Sequence, residues 1–284
     1  MTDKDKLKED QKDISAPENG GLTVNPDKKE DGKTEDAWTE LGKTIILAVF
    51  LALIVRTLLF EPFNIPSGSM KPTLLIGDYL FVSKTSYGYS QYSFPFSLAP
   101  IEGRVWTSPP EQGDIVVFKL PSNPHIDYIK RIVALPGDTV QIQNGRLYLN
   151  GTLVPRQELG YESVTDRFGR TTSMVKYRET LPNGVQHFIY EESDSHPLDN
   201  TKEYKVPEDH VFVMGDNRDN SQDSRVEGHV GPVPFENLVG RAEILFFSVT
   251  GDVPVWKIWA WPWAIRYGRI FNSIRPQKAP GEEA

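Results

Sequence analysis

The chain has 284 residues, 38% hydrophobic and 25% charged, with no cysteine and a net charge of −8. That composition supplies a core and excludes a wholly disordered chain. The missing cysteines exclude disulfide scaffolds, thiolate metal sites and cysteine nucleophiles, and an acidic balance without a basic face speaks against a nucleic-acid partner.

Residues 1–40 hold 7 basic and 12 acidic side chains among Gly and Pro and read as a disordered acidic tail. The character changes at Trp38. Thr44 to Phe60 runs TIILAVFLALIVRTLLF, seventeen residues at the short limit for crossing a bilayer. A cleavable signal fits poorly, because the segment starts late and no small-x-small site follows. Residues 41–61 therefore read as an uncleaved transmembrane anchor with Arg56 snorkelling to the far interface; a buried core helix is the alternative. Lys28, Lys29, Lys33 and Lys43 precede the segment, while Arg56, Lys71 and Lys84 follow its start. This bias favours a cytoplasmic N-terminus.

After Phe60 the pattern turns to strands. TLLIGDYLFVSK, GDIVVFKL, DYIKRIVALPGD, TVQIQNGRLYLNG, HVFVMGD and RAEILFFSV are rich in Val, Ile, Leu, Phe and Tyr, with Gly-Asp and Asn-Gly turns between them. The expected fold is mostly β: an antiparallel catalytic domain with an inserted smaller β subdomain, preceded by one transmembrane helix. Residues 86–112 read as a loop or extended ribbon, and 155–207 as a polar, weakly periodic insertion. The boundaries drawn are 62–140 and 207–250 for the core and 141–206 for the insertion. Residues 251–284 form an aromatic, basic, membrane-proximal tail. There VPVWKIWAWPWAIRYGRIF sets four tryptophans beside Lys257, Arg266 and Arg269, which suits lipid headgroups; a core-packed terminal element is the alternative.

Chemistry first shows in PFNIPSGSMKPTLLIGD. Ser67 and Ser69 flank Gly68, with Pro66 and Pro72 on either side, so a sharp turn there presents a hydroxyl and backbone N–H groups to one point. Alone, Ser-Gly-Ser is more often a turn or linker. The absence of G-x-S-x-G and S-x-x-K here disfavours the hydrolase elbow and the β-lactamase pattern.

A serine hydroxyl needs a base, and His125, His187, His196, His210 and His229 lie in no catalytic string. In DYIKRIVALPGD, alternation places Tyr128, Lys130, Ile132 and Ala134 on one strand face, where apolar neighbours would lower a lysine pKa. Free lysine titrates near ~10.4, and a drop of about 3 units, on the order of 4 kcal/mol, makes a working base. Arg131 cannot serve, because it does not deprotonate. An exposed strand lysine is the alternative.

A third string, MGDNRDNSQDSRVEGHVG, holds Asp216, Arg218, Asp219, Asp223 and Arg225 within ten residues. It is no calcium loop: Arg218 fills a ligand position and Ser221 stands where an EF-hand needs glycine. Alternating Asp and Arg either face solvent or build a self-neutralised network that holds another residue in place.

Together, IPSGSMKPTL, YIKRIVALPGD and GDNRDNSQDSR, with GDIVVFKLP between the first two and an apolar segment ahead, resemble the type I signal peptidases (leader peptidases). These are membrane-bound bacterial serine proteases. The resemblance covers roughly residues 45–140 and 205–250. It implies Ser69 as nucleophile, Lys130 as general base and Ser67 as the oxyanion-hole hydroxyl. It implies Ser221 as the residue that orients the lysine and Asp223 as a brace, with Arg131 and Arg225 as its partners. Phe63, Ile65, Pro66, Met70, Leu74, Leu80, Val117, Tyr128 and Ile129 fall where the family lines shallow pockets for the small-x-small pattern. After GDNRDNSQDSR the chain continues VEGHVG, where the family carries aromatic residues before the glycine.

The resemblance implies a single-pass endopeptidase of the bacterial inner membrane with its catalytic domain on the periplasmic side. It would cleave signal peptides from secretory preproteins after small residues. The expected partners are those preproteins and the lipid bilayer, with the translocon nearby; a monomer without metal or cofactor is expected. Nine residues separate Phe60 from Ser69, and at ~3.6 Å each the nucleophile stays within about 30 Å of the anchor. A self-cleaving Ser–Lys repressor-type protease shares the dyad but would bring a DNA-binding helix pair. A non-catalytic tethered β domain would need neither Ser69 nor Lys130.

Overall fold

The computed structural model describes residues 31–94, 101–166, 169–250, 253 and 256–278. The tail reading of residues 1–30, and part of the loop and aromatic-tail readings (95–100, 251–252, 254–255 and 279–284), lie outside the described residues. The chain divides into two compact units, residues 1–49 and 50–284.

Helix α1 (Asp31–Leu58) carries the apolar segment. Its stretch Ala37–Leu58 is long and apolar enough to cross a membrane, with mean hydropathy 2.1. Ile46, Leu47, Phe50 and Leu53 are exposed, the opposite of a buried core helix. The helix starts at Asp31, well inside the charged stretch. Lys43 pairs with Glu40 one turn back, the spacing that stabilises an exposed helical turn.

Strands follow in quick succession. They are β1 (Phe60–Asn64), β2 (Asp78–Ser83), the short ribbon β3 (Tyr89–Ser90) and β4 (Arg104–Val105), then β5 (Ile115–Leu120) and β6 (Asn123–Ala134). Next come β7 (Thr139–Gln143), β8 (Arg146–Leu149) and β9 (Thr152–Leu153), and then the long hairpin β10 (Arg156–Thr165) and β11 (Thr171–Thr180). The last are β12 (Val185–Glu191), β13 (Tyr204–Lys205), β14 (His210–Met214), β15 (Val233–Pro234), β16 (Leu238–Ser248) and β17 (Gln277–Lys278). The polar stretch after residue 155 thus forms one of the longest hairpins, its sparse apolar content reflecting two exposed faces along β10. Asn144-Gly145 closes the β7–β8 turn with both residues at positive φ, the conformation that Asn-Gly adopts most readily in two-residue hairpins.

The main sheet runs β1-β2-β16-β5-β6-β14-β15, and two four-stranded sheets run β10-β11-β12-β17 and β13-β7-β8-β9. All named pairings are antiparallel. Central β5 is buried on both faces, whereas β6 is exposed over its first half and buried from Lys130 onward. One apolar cluster joins Val133, Ala134, Phe212 and Met214 of the main sheet to Val140, Leu147 and Val185. The mostly-β antiparallel architecture read from the sequence is the one observed.

The aromatic C-terminal segment divides its residues between two surroundings. Trp256, Trp259 and Trp263 are exposed, while Ile274 joins the core. Arg266 and Arg269, read above as headgroup-facing, turn inward to the buried carboxylate of Asp78. A fully buried carboxylate needs cations more than lipid phosphates do.

Candidate active site

Ser67, Gly68 and Ser69 lie between β1 and β2 on a turn pinned from below. Met70 and Leu74, one helical turn apart and bonded N–H to C=O across that turn, are both fully buried in the cluster that includes Ile65, Leu80 and Val117. Arg269 donates to the Thr73 carbonyl and Arg266 to that of Ile76, which fastens the far end of the loop. The turn therefore presents its serines from a rigid base. Ser69 is buried while Ser67 is exposed, and their hydroxyl oxygens lie 3.4 Å apart.

Strand β6 delivers Lys130. Its register partner is Val116 of β5, which packs with Tyr128 and Ile132 in one apolar cluster. The ammonium is thus wrapped by apolar groups, with the Tyr128 ring centroid 5.2 Å away. Nζ donates to Ser69 Oγ at 2.8 Å and to the Ile129 carbonyl at 2.9 Å. Among the described residues no carboxylate forms an ion pair with it. Burial lowers its pKa to about 8, against the opposing pull of Asp223 and Asp216. An amine so placed is neutral often enough near pH 8 to take the proton of the hydroxyl it touches.

The Asp/Arg string after β14 is a buried network, not a solvated loop. Asn217 donates its backbone N–H to the Ser69 carbonyl at 3.0 Å and its side-chain amide to the Gly68 carbonyl at 3.1 Å, so this loop grips the serine turn directly. Gly215 sits where a Cβ would lie 2.2 Å from Ser221 Oγ and 2.6 Å from the Ser69 carbonyl; only glycine lets the two segments touch.

Asp223 accepts from the Gly215 N–H and from Arg225. Burial alone would raise its pKa, yet Arg225 and these bonds hold it below the usual carboxylate range. Arg131 does not reach Asp223 as expected. It forms a two-pronged bond to Asp216, at 2.8 and 2.7 Å, because β6 pairs Arg131 with Met214, two residues before Asp216. Ser221 Oγ is buried without a hydrogen-bond partner and so makes no bond to Lys130; its looser proximity helps keep the Asp223 carboxylate ionised.

A cleft of about 1290 Å³ opens over Ser69 and Lys130. Of the nine residues assigned above to pockets, Phe63, Ile65, Pro66, Val117, Tyr128 and Ile129 line it. Met70, Leu74 and Leu80 do not: all three are fully buried in the core beneath, where they hold up the floor. His229 stands near the place of the expected aromatic residues, its ring edge-on to Tyr128 and its Nε2 3.1 Å from the tyrosine hydroxyl. Sequence reasoning missed Asp216 as the partner of Arg131, Asn217 as the grip on the turn, and the whole contribution of β10–β11 to the cleft. Asp216 and Asn217 lay within a quoted motif, but only long-range pairing reveals their partners.

Residues 38–247 match the family described as Signal peptidase, peptidase S26. The chain belongs to the signal peptidase family, peptidase S26. It is 37% identical over 263 residues to the signal peptidase I of Rickettsia typhi, covering 87% of this chain and 97% of that one. It is 39% identical over 249 residues to the one of Rickettsia canadensis, covering 82% and 92%. A solved signal peptidase I from Enterococcus faecalis aligns with 47% of this chain and 97% of its own at 25% identity, with a TM-score of 0.28.

Proposed function

We propose that Ser69 and Lys130 form the catalytic dyad with which this signal peptidase family member, a serine endopeptidase, removes signal peptides from secretory preproteins. The observation that carries this reading is the 2.8 Å hydrogen bond from a buried Lys130 amine, free of carboxylate partners among the described residues, to the Ser69 hydroxyl. Neutral Lys130 takes the Ser69 proton as Oγ attacks the scissile carbonyl. The developing oxyanion is met by the Ser67 hydroxyl and the Ser69 backbone N–H. The ammonium then returns its proton to the leaving amine, and a water deprotonated by Lys130 hydrolyses the ester. Arg131–Asp216 and Asp223–Arg225 keep the surrounding loops fixed while neutralising each other.

Phe63, Ile65, Pro66, Val117 and Ile129 are among the apolar residues of the cleft, which suits the short uncharged side chains before the scissile bond. We read α1 as a single membrane crossing of the bacterial inner membrane, with a cytoplasmic N-terminus and the catalytic domain on the other side. Exposed Trp256, Trp259 and Trp263 support a lipid-facing surface on residues 251–284, and the translocon is the expected neighbour. The enzyme is proposed to work as a monomer.

Cleavage of an authentic preprotein by the detergent-solubilised full chain tests the reading. Wild type should release the mature protein and Ser69→Ala should not; Ser67→Ala should lose about 10²-fold in kcat with KM little changed. Undiminished cleavage by Ser69→Ala would overturn the assignment.

A further inference from the structure

The cleft lining divides by origin. Most main-sheet residues there are apolar or aromatic (Phe63, Val117, Ile126, Tyr128 and Ile129 against Asn64, Asp127 and Lys130), whereas most of those from β11 and from the loops after β10, β12 and β14, including Asp166, Arg170, Thr172, Glu192 and Asp219, are polar or charged. Signal-peptide residues before the scissile bond are small and uncharged, so they match the first lining. The second is left for the residues that follow the bond.

Lys71 stands where the two meet. Its stem runs over Gly68, with Cε 3.4 Å and Nζ 3.9 Å from where a Gly68 Cβ would sit, between the two site serines. Its ammonium then reaches across 94 positions of sequence to the Thr165 carbonyl at the end of β10, at 2.8 Å. An ammonium carries three donors. One is taken by Thr165, and among the described residues no carboxylate lies within ion-pair distance of it. Among the other charged groups there, Arg170 pairs with Asp166 and Asp127 with Lys119, and Asp219 accepts from the backbone N–H groups of Glu192 and Ser193.

We propose that Lys71 and the β10–β11 hairpin it holds bind the first residues of the mature chain, and that Lys71 selects for an acidic side chain there. This rests on the dyad reading above. It adds a specificity determinant on the leaving-group side, built from a lysine adjacent to the catalytic turn. The charge lies beside the path of the departing segment, in contact with solvent, so its effect is that of an exposed ion pair.

The test uses peptides identical up to the scissile bond that carry Glu, Gln or Lys at each of the first three positions after it. In wild type, kcat/KM for the best Glu peptide should exceed that for its Lys counterpart by about fivefold, the upper reach of a solvent-exposed pair. Lys71→Arg should keep the preference, Lys71→Met should bring the ratio to about one, and Lys71→Glu should invert it. A purely structural role for Lys71 would lower all three peptides together and leave their ratio unchanged. An unchanged ratio in Lys71→Glu, or no preference in wild type, overturns the proposal while leaving the dyad intact. Failure of wild type to cleave any peptide or preprotein would instead strike the dyad reading itself.

Discussion

Lys84 and Lys130 are sealed from water to almost the same degree, 2% and 4% exposed, and both adjoin strands of the main sheet. Lys84 meets the Glu61 carboxylate at 2.9 Å and the Ser93 carbonyl at 2.6 Å. It ties the start of β1 to the turn after β3. Lys130 meets a hydroxyl and a backbone carbonyl, and its two nearest acids are each occupied by an arginine. Burial penalises the charged form of Lys130, and of the two lysines only Lys84 has a contacting carboxylate. Withholding a carboxylate, more than burying the amine, is what leaves a lysine able to act as a base.

Exchanging each lysine for methionine, an apolar chain of similar length, breaks this comparison most sharply. Lys130→Met should lose at least about 10⁴-fold in kcat, as should Ser69→Ala, since neither residue of a dyad acts alone. Lys130→Arg should be equally inactive because guanidinium keeps its proton. The fold of Lys130→Met should not suffer, and its Tm at pH 7 should equal or exceed that of wild type, because a buried cation without a paired anion has been removed. Preprotein cleavage and thermal melts check both halves. Turnover by Lys130→Arg within tenfold of wild type would take Lys130 out of the mechanism.

The next largest effect concerns the arginine that occupies one of those acids. Asp216→Asn leaves Arg131 charged and buried without its two-pronged partner, which should lower stability by about 3–5 kcal/mol. Chemical denaturation reads this directly; a loss below about 1 kcal/mol would mean that the network round Lys130 is not what neutralises it.

Much of this was legible in the chain. The apolar run ending at Phe60 gave the helix by its length, and the runs of Val, Ile, Leu, Phe and Tyr between Gly-Asp and Asn-Gly turns gave the strands. Ser69 and Lys130 stood out because resemblance joined two strings that are each ambiguous. Partnerships were harder. The resemblance gives Asp223 both Arg131 and Arg225, yet only Arg225 reaches it while Arg131 goes to Asp216, and such choices depend on register across β6 and β14 that local sequence does not encode. Met70, Leu74 and Leu80 were placed in pockets, though an apolar residue beside a nucleophile can face either the substrate or the floor beneath it. β10 gave the weakest signal, since a strand exposed on both faces shows little hydrophobic alternation.

A smaller effect sharpens the other side of the comparison. Lys84→Met leaves Glu61 unpaired at a partly buried site and should cost about 1–3 kcal/mol of stability. Activity per folded molecule should stay near that of wild type, because Lys84 belongs to no part of the cleft. Loss of kcat at full foldedness would show that the β1 anchorage reaches the dyad.

The finest test is titration. Lys130 falls from 10.5 to about 8 on folding, so below pH 8 both folded and unfolded chains carry the proton, and the burial penalty of about 3 kcal/mol is fully present. Between pH 8 and 10.5 the unfolded chain holds a proton that the folded one has released, so stability rises with pH; above 10.5 it levels. The Tm advantage of Lys130→Met over wild type should therefore shrink steadily as pH climbs from 8 to 10.5. Over the same axis kcat/KM of wild type should rise about tenfold per unit below pH 8 and flatten above it, as the free-enzyme amine loses its proton. The two curves must bend at the same pH. If activity flattened near 8 while the Tm gap stayed constant to pH 10.5, the group that limits the rate would be some residue other than Lys130.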